Sequence, residues 1–306
     1  MSTLLPAHAV GVELPAVEVE FTTRRLMSYA AALGATEDVY LNDMHPGGII
    51  GLPTFIVSPE WQVMNGEPYR ALLGADDACM WRCIHVQQDS RVFQPIRPGQ
   101  SARTQGTVCA LRQTRIGVYV AVRLDTTLRD TGTLIAQSWF CGIFLGDQTD
   151  GPEHASIAEP PALAVDESTA GFSMITKPVL VVTRALPHLY TEAAAIWNPI
   201  HTERSAARQA GLNDTLLHGT CTWGAAGLQI IRHFGQGDPA RLLRLGARMT
   251  GKALVGASLY LRYKVMPTDT SNAECISFQI VDEAGSPILS NGIAEIAPVA
   301  SGGRVL

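Results

Sequence analysis

The sequence predicts an α+β protein in which one unit, a helix laid on an antiparallel sheet, is written twice along the chain. Three observations predict it. The segment "YAAALGATEDVY" (29–40) aligns without gaps with "YTEAAAIWNPIH" (190–201), each opening on Tyr with an alanine-rich run and closing on a ring. A glycine-containing loop and an apolar helix follow each copy. Each half then turns to β-branched and aromatic residues grouped around a glycine turn, the composition of paired strands. A sheet with one apolar face has to be covered, and a helix on that face is the α+β solution.

Taken in order, the first loop is "GGIIGLPTF" (47–55), and the helix after it covers roughly 54–66, "TFIVSPEWQVMNG". Strands follow around a turn at Asp130-Thr131-Gly132, where glycine at the third position supplies the positive φ that a tight hairpin needs. A stretch rich in Pro, Ala, Gly and acids around 147–172 reads as a linker. In the second half the loop is "GLNDTLLHG" (211–219), the helix spans 219–234, and the hairpin turns at Glu283-Ala284-Gly285. The expected units are therefore 1–146 and 173–306, pairing as a pseudo-symmetric dimer on one chain.

Composition excludes several functions. With 306 residues, 46% of them hydrophobic, 17% charged and a net charge of −5, the chain folds around a sizeable core and has no basic face for nucleic acid. No run reaches the ~18 apolar residues of a membrane span. The N-terminus "MSTLLPAHAVGVELPAVEVEF" is broken by prolines and acids and is not a secretion signal, so a cytoplasmic protein is expected. The six cysteines are scattered apart from Cys79 and Cys83, with His85 nearby. One such knuckle falls short of a structural metal site, so buried free thiols and no metal or cofactor are expected.

The stretch "IWNPIHTERSAARQAGLNDTLLHGTCT" (196–222) carries a resemblance. Asn198, Pro199, Ile200, His201, Glu203, Gly211, Leu217, His218 and Gly219 match the signature of the MaoC-like dehydratases, the R-specific enoyl-CoA hydratases of the hot-dog fold. The first half, with "YAAALG", "PTF" (53–55) and "IHVQQDSRVFQPIRPGQ" (84–100), resembles the degenerate N-terminal copy of double hot-dog members. The resemblance implies two helix-wrapped antiparallel sheets joined as a pseudo-dimer, with one working site at most, in the second half. It implies hydration of a 2-enoyl thioester, or dehydration of a 3-hydroxyacyl thioester, on coenzyme A or an acyl carrier protein. A homodimer is the default expectation for such a fold.

Carried over residue by residue, His201 matches the proton-transferring histidine, a group that titrates near working pH. Asn198 matches the orienting asparagine, and the same side chain suits the turn before Pro199. Gly219 matches the oxyanion donor, whose N–H opens a helix. His218 beside it is expected to be packed rather than catalytic. Arg204, Arg208, Lys252 and Arg262 are the cations available to a coenzyme A carrier. Trp223, Leu228, Ile231 and Phe234 form a stripe expected in the core.

The departure is Ile196, which stands where the family has its aspartate, with Ala195 in place of a glycine and Trp197 after it. Isoleucine can neither move a proton nor hold a water, and loss of a positioned acid–base group costs about 10²–10⁴-fold. Three replacements are open. Glu192, four residues earlier on a continuing helix, would lie on the same face one turn away. Glu37 could reach over from the other copy. His201 could act alone, with Ile196 and Trp197 making the pocket drier. The alternatives in other classes are a non-catalytic acyl-thioester-binding or partner subunit, and a hot-dog lyase or isomerase working on a non-thioester metabolite.

Overall fold

The computed structural model describes residues 2–163, 171–267 and 273–299. Residues 164–170 of the expected linker, and 268–272 and 300–306 of the second unit, lie outside them.

The first half contributes β1 (Val17–Glu20), α1 (Thr23–Ala32), α2 (Val57–Met64), β2 (Cys83–Val92), β3 (Ser101–Thr114), β4 (Gly117–Leu128) and β5 (Leu134–Leu145). The second contributes β6 (Leu180–Val181), α3 (Leu186–Ala194), α4 (Pro199–Thr202), α5 (Gly219–Phe234), β7 (Leu242–Met249), β8 (Ser258–Val265), β9 (Glu274–Val281) and β10 (Pro287–Ile296). The sheet order is β1-β3-β4-β5-β2 in the first half and β6-β8-β9-β10-β7 in the second, so the same topology occurs twice. The two join through β2 and β7, antiparallel, with Gly246 opposite Asp89 and Ala247 opposite Gln88. The result is one twelve-stranded sheet among the described residues, wrapped around the two central helices α2 and α5. This is the double hot-dog.

Both hairpin turns form where the glycines stand: Gly132 has φ 69° and Gly285 φ 81°. The first central helix is shorter than its apolar run suggests, because Pro53–Ile56 form a 3₁₀ turn ahead of Val57. Proline at the start of that turn fixes φ and needs no N–H partner there. The second central helix runs Gly219–Phe234 as expected. Its small residues let the halves approach closely. A Cβ on Gly224 would lie 2.9 Å from Leu33 and 3.0 Å from the Tyr29 hydroxyl, and one on Gly227 would lie 2.9 Å from Thr54.

The repeated tyrosines meet at this approach, with the rings of Tyr29 and Tyr190 5.8 Å apart. One apolar core continues through both halves, from Val19, Phe21 and Leu26 to Phe278, Ile280 and Ile296. Trp223, Leu228 and Ile231 belong to it, and Phe234 packs against it. The described part of the connecting segment is docked: His154–Ser156 pairs with β3, and Leu163 is buried. Among the described residues, no helix is long and apolar enough to cross a membrane.

Candidate active site

The site is built by a chain reversal at the end of α3. Ala195 adopts φ 53°, ψ 39°, the left-handed conformation that ends a helix, and its N–H and that of Ile196 return to Glu192 and Thr191. The helix therefore does not continue through Ile196, and the expected stacking of Glu192 under Ile196 on one helical face is corrected. After the reversal Ile196 is buried, 5% exposed, while Glu192 stays exposed on α3.

The chain then enters α4, a single turn. Asn198 caps it, its Oδ1 accepting from the Ile200 N–H at 3.2 Å, with Pro199 in the first helical position. This turn delivers His201 to a cavity of about 310 Å³ between the two halves. From the second half the cavity is lined by Ile196, Asn198, His201, His218, Gly219 and Thr222; from the first by Glu60, Trp61, His85 and Gln88. Lys252 also lies on its wall.

His201 is fixed in one orientation. Its Nδ1–H donates to the Leu216 carbonyl at 2.9 Å, so Nε2 carries a free lone pair with no partner among the described residues. Desolvation holds the ring's pKa down to about 4, so it is neutral near pH 7. Behind it, His218 stacks ring on ring at 3.7 Å. His218 is 2% exposed, and its Nε2 lies 3.2 Å from both the Ile196 carbonyl and the Thr191 hydroxyl. Burial, and then His201, keep it well below its usual value, so it serves as a neutral platform that ties the reversal to the start of α5.

Gly219 opens α5, with His218 as the preceding cap residue. The first N–H groups of a helix have no intrahelical acceptor and sit at the positive end of its dipole. A larger residue here would have to push Met249 aside, since an added Cβ would be 2.5 Å from its sulfur. His201, Asn198, Gly219 and Ile196 are thus brought to one cavity.

Other expected residues are not. Trp197 is 55% exposed and, like Glu192, lies outside the lining. Glu37 is committed to an ion pair with Arg232 of α5. Arg204 pairs with Asp214. The residues that sequence reasoning passed over come from the first half. Glu60 on α2 is 3% exposed, and burial pushes its carboxyl up to about 8. His85 stacks on Phe140 at 4.2 Å, with its Nε2 2.9 Å from the Gln87 carbonyl. The available signal was a single acid inside the apolar run of 54–66.

Comparison with known proteins agrees with this fold. A family model described as "MaoC like domain" matches residues 167–281, and one described as "MFE-2 hydratase 2 N-terminal domain" matches 19–146. The chain is 25% identical over 303 residues to "Probable enoyl-CoA hydratase 2" of Dictyostelium discoideum, covering 96% of this chain and 97% of that one. It is 36% identical over 256 residues to "3-hydroxyacyl-thioester dehydratase Y" of Mycobacterium tuberculosis, covering 82% and 84%. The solved MaoC-like dehydratase from Phytophthora capsici superposes with a TM-score of 0.77 at 17% identity, covering 94% and 97%, and shares the fold.

Proposed function

This chain belongs to the MaoC-like dehydratases, and from that premise we propose that it interconverts 2-enoyl and 3-hydroxyacyl thioesters, carried on coenzyme A or an acyl carrier protein, with His201 alone moving the proton. The observation that carries this reading is the pinned imidazole: Nδ1–H held by Leu216, Nε2 bare, on the wall of a cavity that Gly219 shares.

In the dehydration direction, Nε2 takes the proton from C2 while the Gly219 N–H stabilises the thioester oxygen as it gains enolate charge. The imidazolium so formed returns the same proton to the hydroxyl leaving C3, and water departs. One base serves both steps if elimination is syn, so no second acid is required at Ile196. Asn198, already bonded to the α4 backbone through Oδ1, keeps its amide NH₂ free to orient the water. Ile196 dries the site and, through its carbonyl, anchors His218 under the working ring.

The test is turnover of crotonyl-CoA and longer trans-2-enoyl-CoAs, and of the crotonyl group on an acyl carrier protein, followed by loss of enoyl absorbance. Wild type should turn over. His201→Ala should lose about 10²-fold or more, and Glu192→Gln should lose little. Full activity in His201→Ala overturns the assignment. Ile196 itself favours a second reading, a binding subunit that has left hydration behind. Silence in wild type, with activity appearing in Ile196→Asp, would select it.

A further inference from the structure

The cavity carries hydrogen-bonding capacity that hydration of a plain hydrocarbon chain leaves unused. Glu60 projects from α2, the central helix of the half without the catalytic motif, and is buried. Its Oε2 accepts from the Gln88 amide at 3.0 Å. The same amide reaches Ser90 at 3.0 Å, and Ser90 in turn accepts from Ser138 at 2.8 Å. The other carboxyl oxygen, Oε1, is buried without a hydrogen-bond partner, and the Ser138 hydroxyl, which also lies near the carboxyl, donates to Ser90. From the opposite central helix, Thr222 lines the same cavity, 1% exposed, and its hydroxyl is likewise unpartnered.

Leaving one buried polar group unpaired costs about 1–3 kcal/mol, and four such groups line this cavity: Glu60 Oε1, the Thr222 hydroxyl, the Tyr69 hydroxyl and His218 Nδ1. Much of the remaining wall is apolar, including Val57, Met64 and Met80. A hydrocarbon chain laid along it would leave Glu60 and Thr222 unpartnered.

We propose that Glu60 and Thr222 form a polar subsite for a hydroxyl or oxo group borne on the acyl chain beyond the carbons that react, so that the substrate class is an oxygenated acyl thioester. This inference rests on the acyl-thioester reading above. The Gln88 amide occupies Oε2 as a donor, which leaves Oε1 as the oxygen that carries the proton of the neutral acid. A neutral carboxyl in an apolar site donates to an oxygen lone pair, and a ligand hydroxyl can also bond Thr222. A cationic group would have to be desolvated among apolar side chains and is disfavoured.

The experiment is calorimetric binding of octanoyl-CoA and of its positional hydroxy isomers, with the hydroxyl walked along the outer chain. These acyl groups are saturated at the reacting carbons, so binding is read without turnover. In wild type, at least one isomer should bind about tenfold tighter than octanoyl-CoA. Glu60→Leu should bring the hydroxylated and plain chains to the same affinity. Glu60→Gln, which keeps a donor of the same shape, should retain part of the preference. Thr222→Val should reduce it and gives a second route if the leucine variant does not fold.

Equal binding of plain and hydroxylated chains by wild type overturns the subsite alone, as does a preference that survives in both Glu60→Leu and Thr222→Val. Failure of every acyl-CoA, and of octanoyl-acyl carrier protein beside them, to bind overturns the acyl-thioester reading and the subsite with it.

Discussion

Four ionisable side chains on the cavity wall couple its stability to pH in opposite directions. His85, His201 and His218 are all held below their usual values by desolvation. Below about pH 6.5 the unfolded chain takes up protons that these folded imidazoles refuse, so stability falls on acidification. Glu60 runs the other way. Its folded pKa is raised to about 8 from 4.5, so its contribution is fully present below 4.5 and is lost as pH rises towards 8. Each group contributes a slope of about 1.4 kcal/mol per pH unit within its window. From these four groups a stability maximum near pH 6.5 is expected. Glu60→Gln should remove the alkaline decline and hold the plateau to about pH 8, read by urea unfolding at a series of pH values. An unchanged decline in that variant would assign it elsewhere.

At the scale of the element, the reversal after α3 decides which side chain faces the substrate. Ala195 holds a left-handed conformation that costs an L-residue about 1–2 kcal/mol. Its methyl is exposed and has little packing to lose. Ala195→Gly should therefore stabilise the protein by about 0.5–1 kcal/mol, the relief being partly offset by the greater freedom of an unfolded glycine. Thermal and denaturant unfolding check it, and a loss of stability would mean that the methyl contributes packing. At the start of α5, Gly219→Ala should displace Met249 and cut turnover far more than it weakens the fold, since the clash is with the far part of a flexible side chain.

At the scale of the molecule, a buried ion pair crosses the β2–β7 seam at which the strands of the two halves pair. Arg244 Nη2 lies 2.7 Å and Nε 3.0 Å from the two carboxylate oxygens of Asp89, and Nη1 also reaches Glu295 at 3.2 Å. Arg244 is 6% and Asp89 1% exposed. Removing one partner strands the other without solvent, which typically costs about 3–5 kcal/mol. Asp89→Ala should lose stability on that order, and because one core runs through both halves, β2 and β7 should lose amide protection together. Hydrogen exchange resolved to those strands tests this. Protection lost in one half alone would show two independent units.

The duplication, the central helices and the glycine turns were legible in the sequence, because each depends on spacing within a short segment, while the grouping of Asn198, His201 and Gly219 was expected from the resemblance of their segment to a family. Periodicity marks a helix, glycine marks a positive φ, and the Asn-Pro-Ile-His run closes its own turn. What only the tertiary structure decided is everything that depends on the left-handed residue and on the seam. Ala195 breaks the helix that would have carried Glu192 beneath Ile196, and the sequence shows no glycine there to announce it. Glu60, Gln88 and His85 reach the cavity from the other half through the register of β2 on β7 and the close approach at Gly224 and Gly227. Such contacts arise from packing between segments far apart in the chain, and a local pattern does not encode them.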